Sequence, residues 1–192
     1  MRHHIPWPDD PKQAPVYIRV QQSVDEILQR DFLPALLKSR ELHALGVMFD
    51  ADAVGIGRYQ HFRELCVDAF PEMPLSLPIE GLVVSNADGK RLGLWIMPNN
   101  QDNGTLETFL RYLVPEAHEP LWNHVENSFL QARTIGCSCR DSHVEKAYLY
   151  TWLAWQDPPG QNAGRALTRR VLDPDAAYAM PFVRWFRMLY AL

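Results

Sequence analysis

The 192-residue chain is 47% hydrophobic and 22% charged, with 19 basic against 23 acidic residues and a net charge of −4. Those proportions exclude a disordered chain, and the acidic balance excludes nucleic-acid binding through bulk charge, leaving only a local basic patch for that role. Three cysteines, an odd number, argue against a secreted disulfide framework. No apolar run reaches membrane length, and the start, MRHHIPWPDDPK, lacks the apolar core of a signal peptide, so a cytoplasmic protein with no membrane contact is expected.

In chain order, residues 1–15 are rich in proline and polar residues and read as an extended arm. Residues 16–192 show no Gly/Ser linker and no internal repeat, which predicts a single domain. Val16 to Val20 is a short strand candidate. Ser23 with Glu26 forms a capping box for a helix carrying Val24, Ile27 and Leu28, and Pro34 interrupts that helix or starts another. Leu45, Val47, Met48 and Phe49 then form an apolar run without polar alternation, which predicts a central strand, buried on both faces and parallel to its neighbours. Asp50 and Asp52 stand at its carboxyl end, the edge where open α/β sheets bind ligands. Two carboxylates one residue apart on an extended segment point the same way, toward one divalent cation and the phosphate it holds. A turn-forming Asp52 and a capping Asp50 are the plainer alternative.

Tyr59, Phe62, Leu65, Cys66 and Ala69 recur at helical spacing. Leu82–Val84 and Leu92–Met97 flank Asn86-Ala-Asp88-Gly89, a hairpin signal. The segment MPNNQDNGTLETFL leads into a helix with Leu106, Phe109, Leu110 and Leu113, and Glu107 sits in its first turn, where the helix dipole favours a carboxylate. Leu121, Trp122, Val125 and Phe129 mark another helix. Ser142 with Glu145 suggests a second capping box, opening an amphipathic helix through Trp155 that includes Lys146. Asp173-Pro174 resembles an N-cap with a first-turn proline before the aromatic helix PFVRWFRMLY, whose Trp185 and Phe186 are expected in the core.

The order FDAD, then RLGLWIMPNN-x-x-x-G-x-LE-x-FL, then KA-x-x-x-TWLAWQ-x-x-PG resembles a bacterial domain-of-unknown-function family placed among Toprim (topoisomerase-primase) domains, over about Val16 to Leu192. The resemblance implies an α/β, Toprim-like fold: a mostly parallel sheet with an antiparallel hairpin, flanked by helices, with Mg²⁺ or Mn²⁺ held by acidic residues at strand ends. Related domains in overcoming-lysogenisation-defect nucleases cut DNA and are often paired with an ATPase in phage defence. DNA as substrate and an ATPase partner protein are therefore implied.

Position by position, Asp50 and Asp52 match the family's DxD, Glu107 its later acidic residue, and Lys146 a lysine suited to steadying charge on the scissile phosphate. Asn99 stands where the family has an aspartate, so the implied metal set is Asp50, Asp52, Glu107 and Asn99 with one charge fewer. The usual first strand ending in glutamate has no counterpart before Val16, and Glu80-Gly81 follows the DxD rather than preceding it. The expected function is a metal-dependent, nuclease-like phosphodiester chemistry. The alternative is a Toprim-fold scaffold or regulator of an ATPase complex.

Two further patterns fit in part. Asp50-Ala-Asp52-Ala-Val54 also fits the signature of haloacid-dehalogenase-like phosphohydrolases, but the later acidic pair, Asp173 with Asp175, follows no strand. Cys137, Cys139 and His143 offer three zinc ligands without a fourth, and a buried thiol and a helix-start histidine are the expected roles.

Overall fold

The computed structural model describes residues 16–52 and 55–192, so the expected arm over residues 1–15 lies outside the described residues. In chain order the helices are α1 (Val24–Ile27), α2 (Phe32–Leu37), α3 (Gly55–Cys66), α4 (Leu106–Arg111), α5 (Glu119–Thr134), α6 (Val144–Ala154), α7 (Ala163–Thr168) and α8 (Met180–Tyr190). The strands are β1 (Ala44–Asp50), β2 (Leu82–Ser85) and β3 (Arg91–Met97). The helices and strands together fall into two compact units, one running to Asn103 and taking back Pro181–Leu192, the other spanning Gly104–Met180.

The first unit is α/β: a three-stranded mixed sheet in the order β1-β3-β2, flanked by helices. β1 runs parallel to β3 from Ala44 opposite Arg91 to Asp50 opposite Met97, and β2 pairs antiparallel to β3. The hairpin follows its sequence signal. Asn86 Oδ1 accepts the backbone N–H groups of Asp88 and Lys90, while Gly89 takes φ +76° to close the turn. Lys90 then donates to the carbonyls of Leu37 and Ser39 and so satisfies the end of α2.

One face of the sheet carries Val47, Phe49, Leu92, Leu94 and Ile96 into a core with Leu33, Leu37, Tyr59, Phe62, Cys66 and Phe70. α3 thus buries the stripe that its helical spacing marks, and Pro34, in the first turn of α2, begins that helix rather than breaking α1. Ser23 caps α1 by accepting the N–H of Glu26 at 3.3 Å. The opposite face receives α8, where Trp185, buried, donates Nε1–H to the carbonyl of Leu82 at 2.9 Å and packs with Phe182 around Trp95.

Glycine clears the room for α8. Gly46 and Gly93 are register partners, and a Cβ on Gly93 would stand 2.6 Å from Leu189 Cδ2 and 3.2 Å from its Cγ. A Cβ on Gly46 would stand 2.6 Å from the Tyr190 hydroxyl. That hydroxyl oxygen accepts the Gly46 N–H at 3.1 Å, and burial pushes the Tyr190 phenol above its ordinary pKa, with the Gly46 bond opposing. Gly81, at φ +84°, lies against the rings of Trp185 and Trp95.

Two sequence expectations are corrected here. Among the described residues β1 is an edge strand, not a central one: it has β3 on one side only, and Met48 is 43% exposed. The apolar run misled because Gly46 has no side chain to declare its face and Met48 is apolar yet open. Val16–Val20 forms no strand. Only Val16 is buried while Tyr17, Ile18 and Val20 project into solvent, so no buried face fixes a ladder register. This segment and the outer edge of β1 line a cavity of about 600 Å³ with Phe32, Leu36 and Tyr190.

The second unit is helical. α5 packs on α6 and α4 on α6 around Trp122, Val125, Leu149, Trp152 and Leu153. Ser142 does not cap α6 as expected. A 3₁₀ turn, Asp141–His143, intervenes and His143 takes the N-cap position. Asp173 likewise caps no helix: its Oδ1 accepts the Asp175 N–H at 3.0 Å, an Asx turn, and α8 begins only at Met180 after another 3₁₀ turn, Ala177–Ala179. No helix among the described residues is long and apolar enough to cross a membrane.

Since Leu189 is buried and its Cγ, Cδ1 and Cδ2 all crowd the Gly93 position, no rotation about χ2 admits a methyl group there. Gly93→Ala should therefore lower stability by about 1–3 kcal/mol in urea unfolding, with an unchanged denaturant slope. An unchanged midpoint would show that α8 does not bear on this strand.

Candidate functional site

At the carboxyl end of β1, Asp50 is the last strand residue and lies beside Met97 of the parallel β3; the next residue, Ala51, donates its N–H to the Met97 carbonyl at 3.0 Å. Asp52 leaves the strand at φ +48°, the left-handed region that an aspartate tolerates in tight turns. Arg58, in the early part of α3, sets the electrostatics. Its guanidinium reaches the Asp52 carboxylate at 2.8 Å and donates a second bond to the Asp50 carbonyl, clamping both ends of the turn. The Arg58 side chain is 20% exposed and that of Asp52 54%, so the pair is weakly held against solvent on the Asp52 side.

The end of β3 is fixed by two asparagines. Asn100, at φ +66°, accepts the Ile96 N–H on its side-chain oxygen at 2.7 Å and donates its amide to the Ile79 carbonyl at 3.0 Å. Asn99 Oδ1 accepts the N–H groups of Gln101 and Asp102, and its Nδ2 donates to Asp102 Oδ2 at 2.7 Å. Both lone pairs of that oxygen are thus directed into the turn. Ala51, Tyr59, Ile96, Asn100 and Asp102 line a cavity of about 350 Å³ at this edge. Burial raises the Tyr59 phenol above its ordinary pKa, Arg63 opposing, and its hydroxyl donates to the Pro74 carbonyl at 2.6 Å.

Glu107 and Lys146 belong to the second unit, where α4 and α6 bring them to 3.4 Å from one another. Glu107 is 16% exposed at its side chain and Lys146 57%. Around them lies a charge network absent from the sequence reading. Arg111, one turn beyond Glu107, pairs with Glu119 at 2.6 Å and lies over the Trp122 ring with its guanidinium carbon 4.5 Å from the centroid. Trp122 donates Nε1–H to Glu126 at 2.8 Å. Glu145 keeps an exposed surface, yet packing around its carboxyl removes enough water to raise its pKa, with Glu126 and Glu107 adding to the rise and Arg111 opposing it.

The structure therefore keeps Asp50, Asp52 and Asn99 at one strand edge of the first unit and joins Glu107 to Lys146 in the second. Within each unit, among the described residues, no three His, Cys, Asp or Glu side chains gather as a metal-holding group, the Cys137, Cys139 and His143 trio included. The residues that sequence reasoning missed are Arg58, Asn100, Arg111 and Glu145. Arg58 carried a signal, a basic residue entering the helix six positions after Asp52. Asn100 carried none beyond its place in MPNN.

The family model described as "Protein of unknown function (DUF3226)" matches residues 1–191. No curated protein and no solved structure matches the chain.

Lys146→Ala should change stability by no more than about 0.5 kcal/mol, because an exposed ammonium in a 3.4 Å pair adds little. A larger loss in chemical unfolding would make Lys146 structural. The raised Glu145 pKa lies above its ordinary 4.5, so the folded chain binds that proton more tightly than the unfolded chain. That stabilisation is complete below pH 4.5 and is lost as pH rises through the folded value. Glu145→Gln should therefore be more stable than the wild type at pH 7, with the gain vanishing in acid, as read from urea unfolding at the two pH values. A less stable variant at pH 7 would show that the Arg111 attraction outweighs desolvation.

Proposed function

Because the chain belongs to the DUF3226 family, whose function no relative supplies, we propose from its site that it is a Toprim-like domain using Asp50 and Asp52 to hold Mg²⁺ or Mn²⁺ for phosphodiester chemistry on DNA. The observation that carries this reading is the position of Asp50 at the carboxyl end of β1, beside the parallel end of β3, where α/β sheets place ligands. The donor chemistry fits. Two carboxylates one residue apart supply the hard oxygens these cations take, with water completing the shell. Asn99 fits less well, since its oxygen is occupied by the Gln101 and Asp102 N–H groups. When bound, such a cation supplies Lewis-acid stabilisation to a phosphoryl oxygen. Arg58 holds a positive charge at the same edge, suited to orienting a phosphate, and Glu107 with Lys146 forms a carboxylate–ammonium pair in the second unit.

The second reading is a catalytically degenerate Toprim-fold scaffold or regulator of an ATPase complex. The Arg58–Asp52 pair favours it, because a guanidinium at 2.8 Å already neutralises one of the two carboxylates. The readings part on cleavage, and the metal response tests the cation site itself. In the first, Mn²⁺ at 100 times its dissociation constant stabilises the fold by about 2.7 kcal/mol, raising the melting temperature. Asp50→Asn combined with Asp52→Asn should abolish that rise, and the wild type with Mn²⁺ should nick supercoiled plasmid where the double variant does not. Stabilisation without nicking supports the scaffold reading, and no stabilisation removes the cation from Asp50 and Asp52.

A further inference from the structure

The three cysteines divide sharply. Cys66 is fully buried in the first unit's core, and burial pushes its thiol up to about 12, so it stays protonated and inert. Cys137 is exposed and Cys139 partly exposed, separated only by Ser138 in the loop that joins α5 to α6. The expectation of a buried thiol at this motif is therefore met by neither residue.

The loop brings the pair together. It leaves α5 through Gly136 at φ +107°, with the Cys137 N–H returning to the Ala132 carbonyl at 2.9 Å, the signature of a glycine-terminated helix. The Cys139 N–H then approaches Cys137 Sγ at 3.5 Å, so the first sulfur already lies over the backbone of the second cysteine. Cys139 Sγ makes only a weak contact, 3.6 Å, with the Arg140 carbonyl. Gly136 has no atom near the place of a Cβ, which leaves the loop free to tighten.

Two arginines and one carboxylate stand around the pair. Arg133 pairs with Asp141 at 2.6 Å and also feels both cysteines, an interaction that helps hold its guanidinium in the charged form. Arg140 adjoins Cys139 and is exposed, and His143 stands three residues beyond it.

We infer that Cys137 and Cys139 form a redox-active dithiol that exchanges with a small anionic disulfide, with Cys137 as the entry thiol and Cys139 as the resolving one. The exposed Cys137 thiolate attacks one sulfur of glutathione disulfide, forming a mixed disulfide and releasing one glutathione thiolate. The Cys139 thiolate then attacks Cys137 Sγ, closing the Cys137–Cys139 bond and expelling the second glutathione thiolate. Two protein thiols are oxidised, two glutathiones are produced, and the two protein protons pass to the departing thiolates. The second step is intramolecular across one intervening residue, which favours ring closure over a lasting adduct or a bond between chains. Arg133 and Arg140 suit the carboxylates of the glutathione disulfide.

The test uses the full chain incubated with oxidised glutathione, then blocked with N-ethylmaleimide and weighed intact, with peptide mapping. The wild type should lose the mass of two hydrogens, lose both maleimide sites in the loop, and recover them after dithiothreitol. Cys139→Ser should instead hold one glutathionyl group on Cys137, because no resolving thiol remains. Stable adducts on the wild type, bonds linking two chains, or an unmodified Cys137 in Cys139→Ser would each overturn the assignment. The replacement sits on the loop between α5 and α6, so loss of folding does not confuse the result.

Discussion

The first unit rests on the absence of two side chains. Gly46 and Gly93 face each other across β1 and β3, and their bare backbone lets Leu189 and Tyr190 of α8 come into contact with the sheet. Close approach there is what seats Trp185 with its indole N–H on the Leu82 carbonyl and brings Phe182 and Trp185 around Trp95. The burial of Trp95, Trp185 and Leu189, each at 1% exposure or less, follows from that seat. The same approach protects an edge. In the parallel ladder the Gly46 N–H faces away from β3, and the Tyr190 hydroxyl accepts it, occupying one of the groups that would otherwise recruit a foreign strand.

With α8 on one face and α3 on the other, the carboxyl edge of the sheet is left to the turns, and each turn is held by polar side chains rather than by packing. Arg58 ties the Asp50 carbonyl to the Asp52 carboxylate, and Asn100 ties Ile96 to Ile79. The result is a pre-shaped edge whose charge is mixed. A cation at Asp50 and Asp52 meets Arg58 as a competitor, whereas a phosphate meets Arg58 as a partner and the carboxylates as repulsion to be offset. The proposed metal-bound phosphate carries both signs and so suits both groups together.

How much of this was legible depended on whether a residue announced its role by its own chemistry. The hairpin was readable because Asn86 and Gly89 have turn chemistry that no neighbour needs to supply. α3 was readable from the spacing of Tyr59, Phe62 and Cys66, all buried as that spacing requires. The edge position of β1 was not, because strand order is set by what packs elsewhere and Met48 is equally apolar at an edge or in a centre. The Ser142 and Asp173 caps failed for a different reason: the residues were suitable, but a 3₁₀ turn and an Asx turn satisfied the same backbone groups first. Among the candidate residues, Asp50, Asp52, Glu107 and Lys146 were singled out by motif alone, while Arg58 and Arg111 acquire their meaning only from partners that folding brings to them.

Arg111 shows why the motif residue and the organising residue differ in the second unit. Lys146 lies at the rim, 57% exposed and 3.4 Å from Glu107, whereas Arg111 is 25% exposed, 2.6 Å from Glu119 and stacked over Trp122. Trp122 in turn holds Glu126, which, after desolvation, helps raise the pKa of Glu145. Three carboxylates, Glu107, Glu126 and Glu145, are thus gathered near one guanidinium and one ammonium, with Glu119 claiming the guanidinium most closely. Burial is the main cause that raises Glu145, with the neighbouring negative charge adding to it, and Lys146 is the more exposed of the two counter-charges. A lysine so placed can leave Glu107 for an incoming anion at small cost to the fold, because Arg111 and the Trp122 stack, not Lys146, keep α4 and α5 together.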